Sequence, residues 1–163
     1  MKLSTFLALA ISKVVNWSSE VRWSYQIQKY PNVSCLAVIG RQSILNGPYE
    51  GLHIGNYSYI NNGNISWGSS SKVLIGTGCA IGYNVSIKAI THSQAKPTTN
   101  LFGPSMHIEK SIIIGNDVWI GDNVFIREGV SIGNNCIIGA NSVVTKSFNE
   151  NSVIAGIPAK LIK

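Results

Sequence analysis

The chain has 163 residues, enough for one domain with a full core and too few for two of typical size. Apolar residues make up 45% and charged residues 12%, and no uncharged apolar run approaches about 18 residues, so the composition describes a soluble chain rather than a membrane-spanning one. The net charge of +6 comes from Lys and Arg scattered along the sequence with no basic cluster interleaved with aromatics, which argues against nucleic acid as a partner and leaves room for a small anionic ligand.

Residues 1–32 read as a helical or irregular segment ahead of the main domain at 33–163. The opening "MKLSTFLALAISKVV" places Lys2 ahead of a short apolar stretch, as a secretion signal does. Against that reading, Leu3, Phe6, Leu7, Ala10, Ile11, Val14 and Val15 recur at helical spacing, with Lys13 and Asn16 on the other side. The spacing predicts a helix that covers part of the domain; a helix resting peripherally on a membrane surface is the alternative.

The three cysteines, Cys35, Cys79 and Cys136, are odd in number and lack CxxC spacing. Cys79 and Cys136 occupy a repeat position held elsewhere by Val, Ser or Thr, which marks them as small buried thiols of a reducing compartment. The expected location is therefore cytoplasmic.

From Ile108 the chain can be written in sixes: IEKSII, IGNDVW, IGDNVF, IREGVS, IGNNCI, IGANSV, VTKSFN. Upstream, IGTGCA, IGYNVS and IKAITH run from Ile75 to His92, and looser units open at Val33, Ile39, Leu45, Ile54 and Ile60. A period of six fits neither a helix nor an alternating strand; it fits a parallel β-solenoid. The opening aliphatic points inward, a small residue four later completes the core, and the polar pair turns the corner. Three such faces close a turn, turns stack at roughly 4.8 Å, and fifteen units give about five turns. The period does not set the hand of the coil.

Three steps break the rhythm: nine residues from Leu45 to Ile54, fifteen from Ile60 to Ile75, and twenty-one from Ile87 to Ile108. The last predicts an extruded loop at 93–107 that opens directly after His92 and walls its surroundings. A histidine held at the end of a rigid coil and beside a long loop is placed to act as a general base. His53 and His107 read as solvated or structurally bonded. No carboxylate stands one coil before His92, since eighteen residues back is Leu74 and fifteen back is Thr77.

The hexapeptide units, "ITHS" before a loop, "VWIG" at Val118–Gly121 and the ending "IGANSVVTKSFNENSVIAGIPAKLIK" resemble the hexapeptide acyltransferases. The likeness is greatest to galactoside and maltose acetyltransferases and bacterial polysaccharide O-acetyltransferases, and it covers roughly residues 54–163. The resemblance implies an all-β, left-handed parallel β-helix, a homotrimer, acetyl-CoA as donor, no metal, and sites in clefts between subunits. It makes His92 the catalytic base. It matches "YIN" to an upstream asparagine, favouring Asn61 by repeat position although counting residues gives Asn62. Trp119 corresponds to a tryptophan near the reaction centre, though packing at a trimer contact is an equal reading. Gly121, Ala140, Thr145, Lys146, Lys160 and Lys163 correspond to residues lining the CoA groove, with the amides of Gly121 and Ala140 facing pantetheine and the lysines meeting phosphates as point charges. Relatives have arginine near the end where this chain has Lys160 and Lys163, so a bidentate phosphate grip is not expected.

The function so implied is acetyl transfer from acetyl-CoA to a sugar hydroxyl, of a surface polysaccharide or its precursor. Ten of the fourteen aromatics precede His92, which suits a saccharide acceptor and equally suits capping of the solenoid end. Amino-sugar N-acetylation and antibiotic acetylation use the same base and donor and stay open. A γ-carbonic-anhydrase-like zinc enzyme needs three converging histidines, and His53, His92 and His107 are too irregularly spaced for it. A non-catalytic solenoid is the remaining alternative.

Overall fold

The computed structural model describes residues 3–93 and 107–163. Residues 94–106, most of the loop expected at 93–107, lie outside the described residues.

The chain opens with helix α1, Leu3–Ile27. It runs well past the stretch whose spacing predicted it, because "NWSSEVRWSYQI" contains neither Gly nor Pro to stop it. It docks by its far end. Trp23 Nε1 donates to the Ile39 carbonyl at 3.0 Å, and Trp23 and Ile27 pack against the core. Ile11, Val14, Val15 and Trp17 are each more than half exposed. Trp23 follows Val14 by two and a half turns and so lies on the opposite side of the helix. Among the described side chains the covering is thus supplied by the last two turns, while Ile11 and Val14 face away from the docking side.

The rest of the chain winds as a parallel solenoid with three faces. The first face stacks Leu52–Ile54, Val73–Ile75, Ile112–Ile114 and Ser131–Ile132. The second stacks Val38–Ile39, Tyr59–Ile60, Ala80–Ile81, Trp119–Ile120, Ile137–Ile138 and Val153–Gly156, and closes with the antiparallel edge strand Ala159–Leu161. The third stacks Ile44–Asn46, Asn64–Ser66, Ser86–Lys88, Phe125–Ile126 and Val143–Val144. Register is set by the inward aliphatics: Ile60, Ile81, Ile120, Ile138 and Ile154 lie in one column, each at most 1% exposed. Two residues before these, the small position holds Ser58, Cys79, Val118, Cys136 and Ser152, all buried. The serines there keep their hydroxyls bonded, Ser58 Oγ donating to the Gly76 carbonyl at 2.7 Å.

Corners are made by asparagine and aspartate. Asn62, Asn84, Asp117, Asn123, Asn135, Asn141 and Asn151 all have φ between 53° and 62°. This left-handed region is strained for most side chains and mildest for Asn and Asp. Their amides also stack, Asn84 Nδ2 donating to Asn123 Oδ1 and Asn123 Nδ2 to Asn141 Oδ1, each at 3.2 Å.

Two expectations about the rhythm are corrected. Ile65 is an inward residue, fully buried and paired with Leu45 and Ile87, so the third face is present where fifteen residues seemed to lack it. It follows Ile60 by five residues instead of six, which hid it from the pattern. Ile108 opens a hexad by sequence but is not a coil residue. It pairs antiparallel with Thr91, and the coil resumes at Ile112–Ile114. The interruption therefore includes an antiparallel ribbon, Ile90–His92 with His107–Glu109.

Candidate functional site

The second face builds a groove. Because Ile60, Ile81, Ile120, Ile138 and Ile154 are in register, the residues after them stack too: Asn61, Gly82, Gly121, Gly139 and Ala155. Glycine is required at Gly121, where a Cβ would stand 2.7 Å from the Ala140 amide nitrogen. Beside this low column runs an outward ridge that includes Tyr59, Ala80, Trp119 and Ile137. The resulting cavity, about 420 Å³, is lined by Asn61, Trp119, Gly121 and Ala140 among others. Asn61, expected at the catalytic centre, thus shares one surface with Trp119, Gly121 and Ala140, expected to bind the donor.

Asn61 and Asn62 are separated by their surroundings. Asn62 sits at a corner with φ 53°, its Oδ1 accepting from the Gln42 amide at 3.1 Å and its Nδ2 donating to Gln42 Oε1 at 3.4 Å. Its side chain is spent on the turn. Asn61 is half-buried, its backbone amide bonded to the Ile81 carbonyl at 2.9 Å and its side chain lining the groove.

One expectation about the amides changes. The Gly121 amide donates to the Ile138 carbonyl at 2.8 Å within the coil and is not available to a ligand. The Ala140 amide lies one residue beyond that ladder and has no bond among the described residues. Trp119 is 59% exposed, its ring standing out from the face.

The lysines and Thr145 are distributed unevenly. Lys160 lies on the edge strand opposite Ala155, which stacks on Gly139 at the end of the groove, and Lys163 follows with its amide and carbonyl bonded to Val153. Thr145 and Lys146 follow the last strand of the third face, both exposed and outside the groove lining, with Lys146 Nζ 5.5 Å from the Phe148 ring centroid.

His92 is exposed at the described end of the ribbon. The base of the ribbon is held firmly. Lys110 donates its amide to the Ala89 carbonyl at 3.0 Å, and Glu109 Oε2 accepts the Ser70 amide at 2.6 Å. Across the ribbon His92 faces His107, the ring centroids 5.0 Å apart and tilted by 39°. His107, read as merely structural from sequence, is therefore the described neighbour that packs on the candidate base. The signal was the antiparallel closure of the loop, which the six-residue period does not carry. Near the ribbon, Lys88 Nζ donates to Asn64 Oδ1 at 2.6 Å, and partial burial lowers its ammonium below the usual lysine range. No group of three His, Cys, Asp or Glu gathers among the described residues, and His53 Nε2 is buried without a hydrogen-bond partner.

Residues 111–146 match the family model described as bacterial transferase hexapeptide (six repeats). Among solved structures, a hexapeptide-repeat-containing acetyltransferase of Vibrio cholerae is 26% identical, with 89% of this chain and 80% of that one covered and a TM-score of 0.73. A galactoside acetyltransferase in complex with coenzyme A is 26% identical over 90% of this chain and 80% of that one, with a TM-score of 0.59. The polySia-specific acetyltransferase NeuO is 32% identical over 81% of this chain and 62% of that one, with a TM-score of 0.58. The six-residue period, the three stacked faces and these matches give the chain the left-handed parallel β-helix of the hexapeptide-repeat acetyltransferases it is similar to, and support an acyltransferase.

Proposed function

We propose that this chain transfers the acetyl group of acetyl-CoA to a sugar hydroxyl, of a surface polysaccharide or its precursor, as a cytoplasmic homotrimer. The observation that carries the reading is the single groove shared by Asn61, Trp119, Gly121 and Ala140. The galactoside acetyltransferase bound to coenzyme A and the polySia-specific NeuO support the donor and the acceptor class.

In the proposed reaction the acceptor oxygen attacks the thioester carbonyl while His92 takes its proton. The tetrahedral oxyanion collapses, expelling the CoA thiolate, which recovers a proton as the base is restored. The Ala140 amide is free to bond pantetheine, and the Asn61 amide group is placed to donate to the oxyanion. Lys160 and Lys163 continue the groove toward the C-terminus, where point charges suit phosphates. A complete site in this proposal takes His92 from one subunit and the groove from its neighbour, as the resemblance implies for a trimer. The exposed Ile11, Val14, Val15 and Trp17 of α1 support a peripheral membrane contact.

The test is acetyl-CoA turnover, followed by release of free thiol, against a panel of mono- and oligosaccharides. Transfer to at least one sugar is expected. His92→Ala should lower kcat/KM by roughly two to four orders of magnitude. Absence of transfer to any acceptor, or an undiminished His92→Ala variant, would refute the mechanism. Sedimentation should give three copies per particle.

A further inference from the structure

We infer that Glu109 is a positioning residue for the proposed base: its carboxylate seats the ribbon that carries His92 on the turn at 68–71. The inference rests on the transferase reading above and adds to it the contact that holds His92 in place.

The breaks in the repeat gather at one corner. Between the third face and the first, the chain takes six residues from Ile126 to Ile132, but nine from Leu45 to Ile54, ten from Ile65 to Ile75 and twenty-seven from Ile87 to Ile114. The extra residues of successive levels rest on one another. At the first level the Pro48 carbonyl accepts a hydrogen bond from Trp67 Nε1 at 2.8 Å, and the buried Trp67 ring lies where a Cβ on Gly47 or Gly51 would stand. Directly after Trp67 comes the turn at 68–71, closed by the Gly68 amide donating to Ser71 Oγ at 2.9 Å, with Ser71 buried. The ribbon leaves the coil at the next level, after Ser86–Lys88.

A two-stranded ribbon is marginally stable alone, so what fixes it must come from the coil. Backbone bonds hold its root, where the Ala89 amide donates to the Ser66 carbonyl at 2.8 Å and the Lys110 amide to the Ala89 carbonyl. Among the described residues, the one side-chain hydrogen bond from the ribbon strands to the rest of the chain is that of Glu109, whose Oε2 accepts the Ser70 amide. Gly68 leaves the room for it, because a Cβ there would overlap the Glu109 carboxylate. A charged acceptor on a backbone N–H is among the stronger hydrogen bonds available to a surface turn.

The pairing carries this seat to His92. Side chains alternate between the two sides of a strand, and directly opposed residues project on the same side. Glu109, Ile90, His92 and His107 therefore share one face of the ribbon, with Thr91 and Ile108 on the other. Seating Glu109 thus sets the direction in which the His92 face points. His92 lies two residues beyond that level, about 7 Å at about 3.4 Å per residue. A hinge of about 10° at an unseated root would displace it by about 1 Å, and a misplacement of that size costs about 100-fold in rate.

The experiment uses the full chain, with acetyl transfer followed by thiol release and with NMR of histidine rings in histidine-labelled protein, the His92 signal being assigned from His92→Ala. Glu109→Ala should lower kcat about 10- to 100-fold with the KM for acetyl-CoA kept within about twofold. It should also broaden or split the His92 ring signal while that of His53, on the coil, is unchanged. Glu109→Gln keeps an oxygen for the Ser70 amide and should hold kcat within about threefold of the parent. Gly68→Ala displaces the carboxylate without removing it. Alone it should reproduce the loss, and in the Glu109→Ala background, where its Cβ has room, it should add nothing. Gly68→Ala and Glu109→Gln carry the test should Glu109→Ala not fold. Parental kcat with an unshifted His92 signal in Glu109→Ala, additive losses in the double variant, or a Glu109→Gln loss as deep as that of Glu109→Ala would each overturn the inference while the transferase reading stands. If the parent transfers acetyl to no acceptor, the transferase reading fails, and the ring signals alone decide whether Glu109 holds His92.

Discussion

The pair Asn61 and Asn62 offers a sharp test, because adjacent asparagines are assigned opposite duties. Asn62→Ala removes the residue type suited to φ 53° and the hydrogen bond to the Gln42 amide. Holding alanine in the left-handed region costs about 1–2 kcal/mol, and the lost hydrogen bond about 0.5–1.5 kcal/mol. Together they predict a loss of roughly 1.5–3.5 kcal/mol, which for a chain of this size is a fall in Tm of about 3–14 °C. Asn61→Ala removes a side chain that lines the groove and leaves its coil hydrogen bond, made by the backbone, in place. Its stability cost should stay near about 0.5 kcal/mol, whereas loss of an oxyanion donor lowers kcat by roughly two to three orders of magnitude. The assays are thermal melts at one fixed protein concentration, since assembly makes Tm concentration-dependent, and single-turnover acetyl transfer. The reasoning is refuted if Asn62→Ala loses turnover at an unchanged Tm while Asn61→Ala melts early and remains active.

His92→Ala and His107→Ala should both keep their Tm within about 2 °C, because both rings are exposed and no hydrogen bond holds either among the described residues. Only the first should approach complete inactivity, and a modest loss of about tenfold or less in the second, read in steady-state kinetics, would mark His107 as a positioning residue. Thiol titration should find one fast cysteine in the folded protein and three after denaturation, since Cys35 is exposed while Cys79 and Cys136 are buried; burial also pushes the Cys79 thiol up, further reducing its thiolate. At Glu128, burial opposes ionisation, but hydrogen bonds from Arg127 and its own backbone, with the charges of Arg127 and Lys110, outweigh it and lower the carboxyl below its ordinary 4.5. That stabilisation is complete above the unfolded value and lost as pH falls through the folded one. Melts from pH 3 to 6 should therefore show Glu128→Gln differing most from the parent at pH 6 and converging with it at the acid end.

The parts legible in the sequence are those that the repeat itself determines. Once Ile120 is known to point inward, its neighbours Ile114 and Ile126 and its partner Ile138 follow from the period. The outward Trp119 and the low column through Gly121 follow with them. The match of residues 111–146 to the repeat family covers the stretch in which no step deviates from six. Errors collect where the chain departs from that spacing. Ile65 was missed because one corner is a residue short, and Ile108 was misplaced because an aliphatic residue at the right interval looks like a coil position even when its real partner is Thr91 across a ribbon. The Gly121 amide illustrates a subtler limit, since a repeat position identifies a residue without revealing that its amide is already bonded to Ile138.

The same division explains why the groove on the second face and the cavity beside α1 differ in legibility. A donor groove along one face needs only residues at a common repeat position, so it inherits the periodicity and can be read from it. The cavity of about 870 Å³ beside α1 takes Trp23 from a helix, Gln42 from the first coil and Tyr83 from the third, and no sequence interval links them. Helix α1 has its own apolar period, which includes the exposed Ile11 and Val14 and is silent about the Trp23 and Ile27 contacts that dock it. A solenoid can therefore keep its donor chemistry while the element at its end changes, because the coil's register does not depend on that element. On this argument, exchanging α1 for the end segment of another such coil should alter acceptor preference and leave acetyl-CoA binding in place. Equal loss of both on exchange would show that the helix supports the groove itself, and the separation argued here would fail.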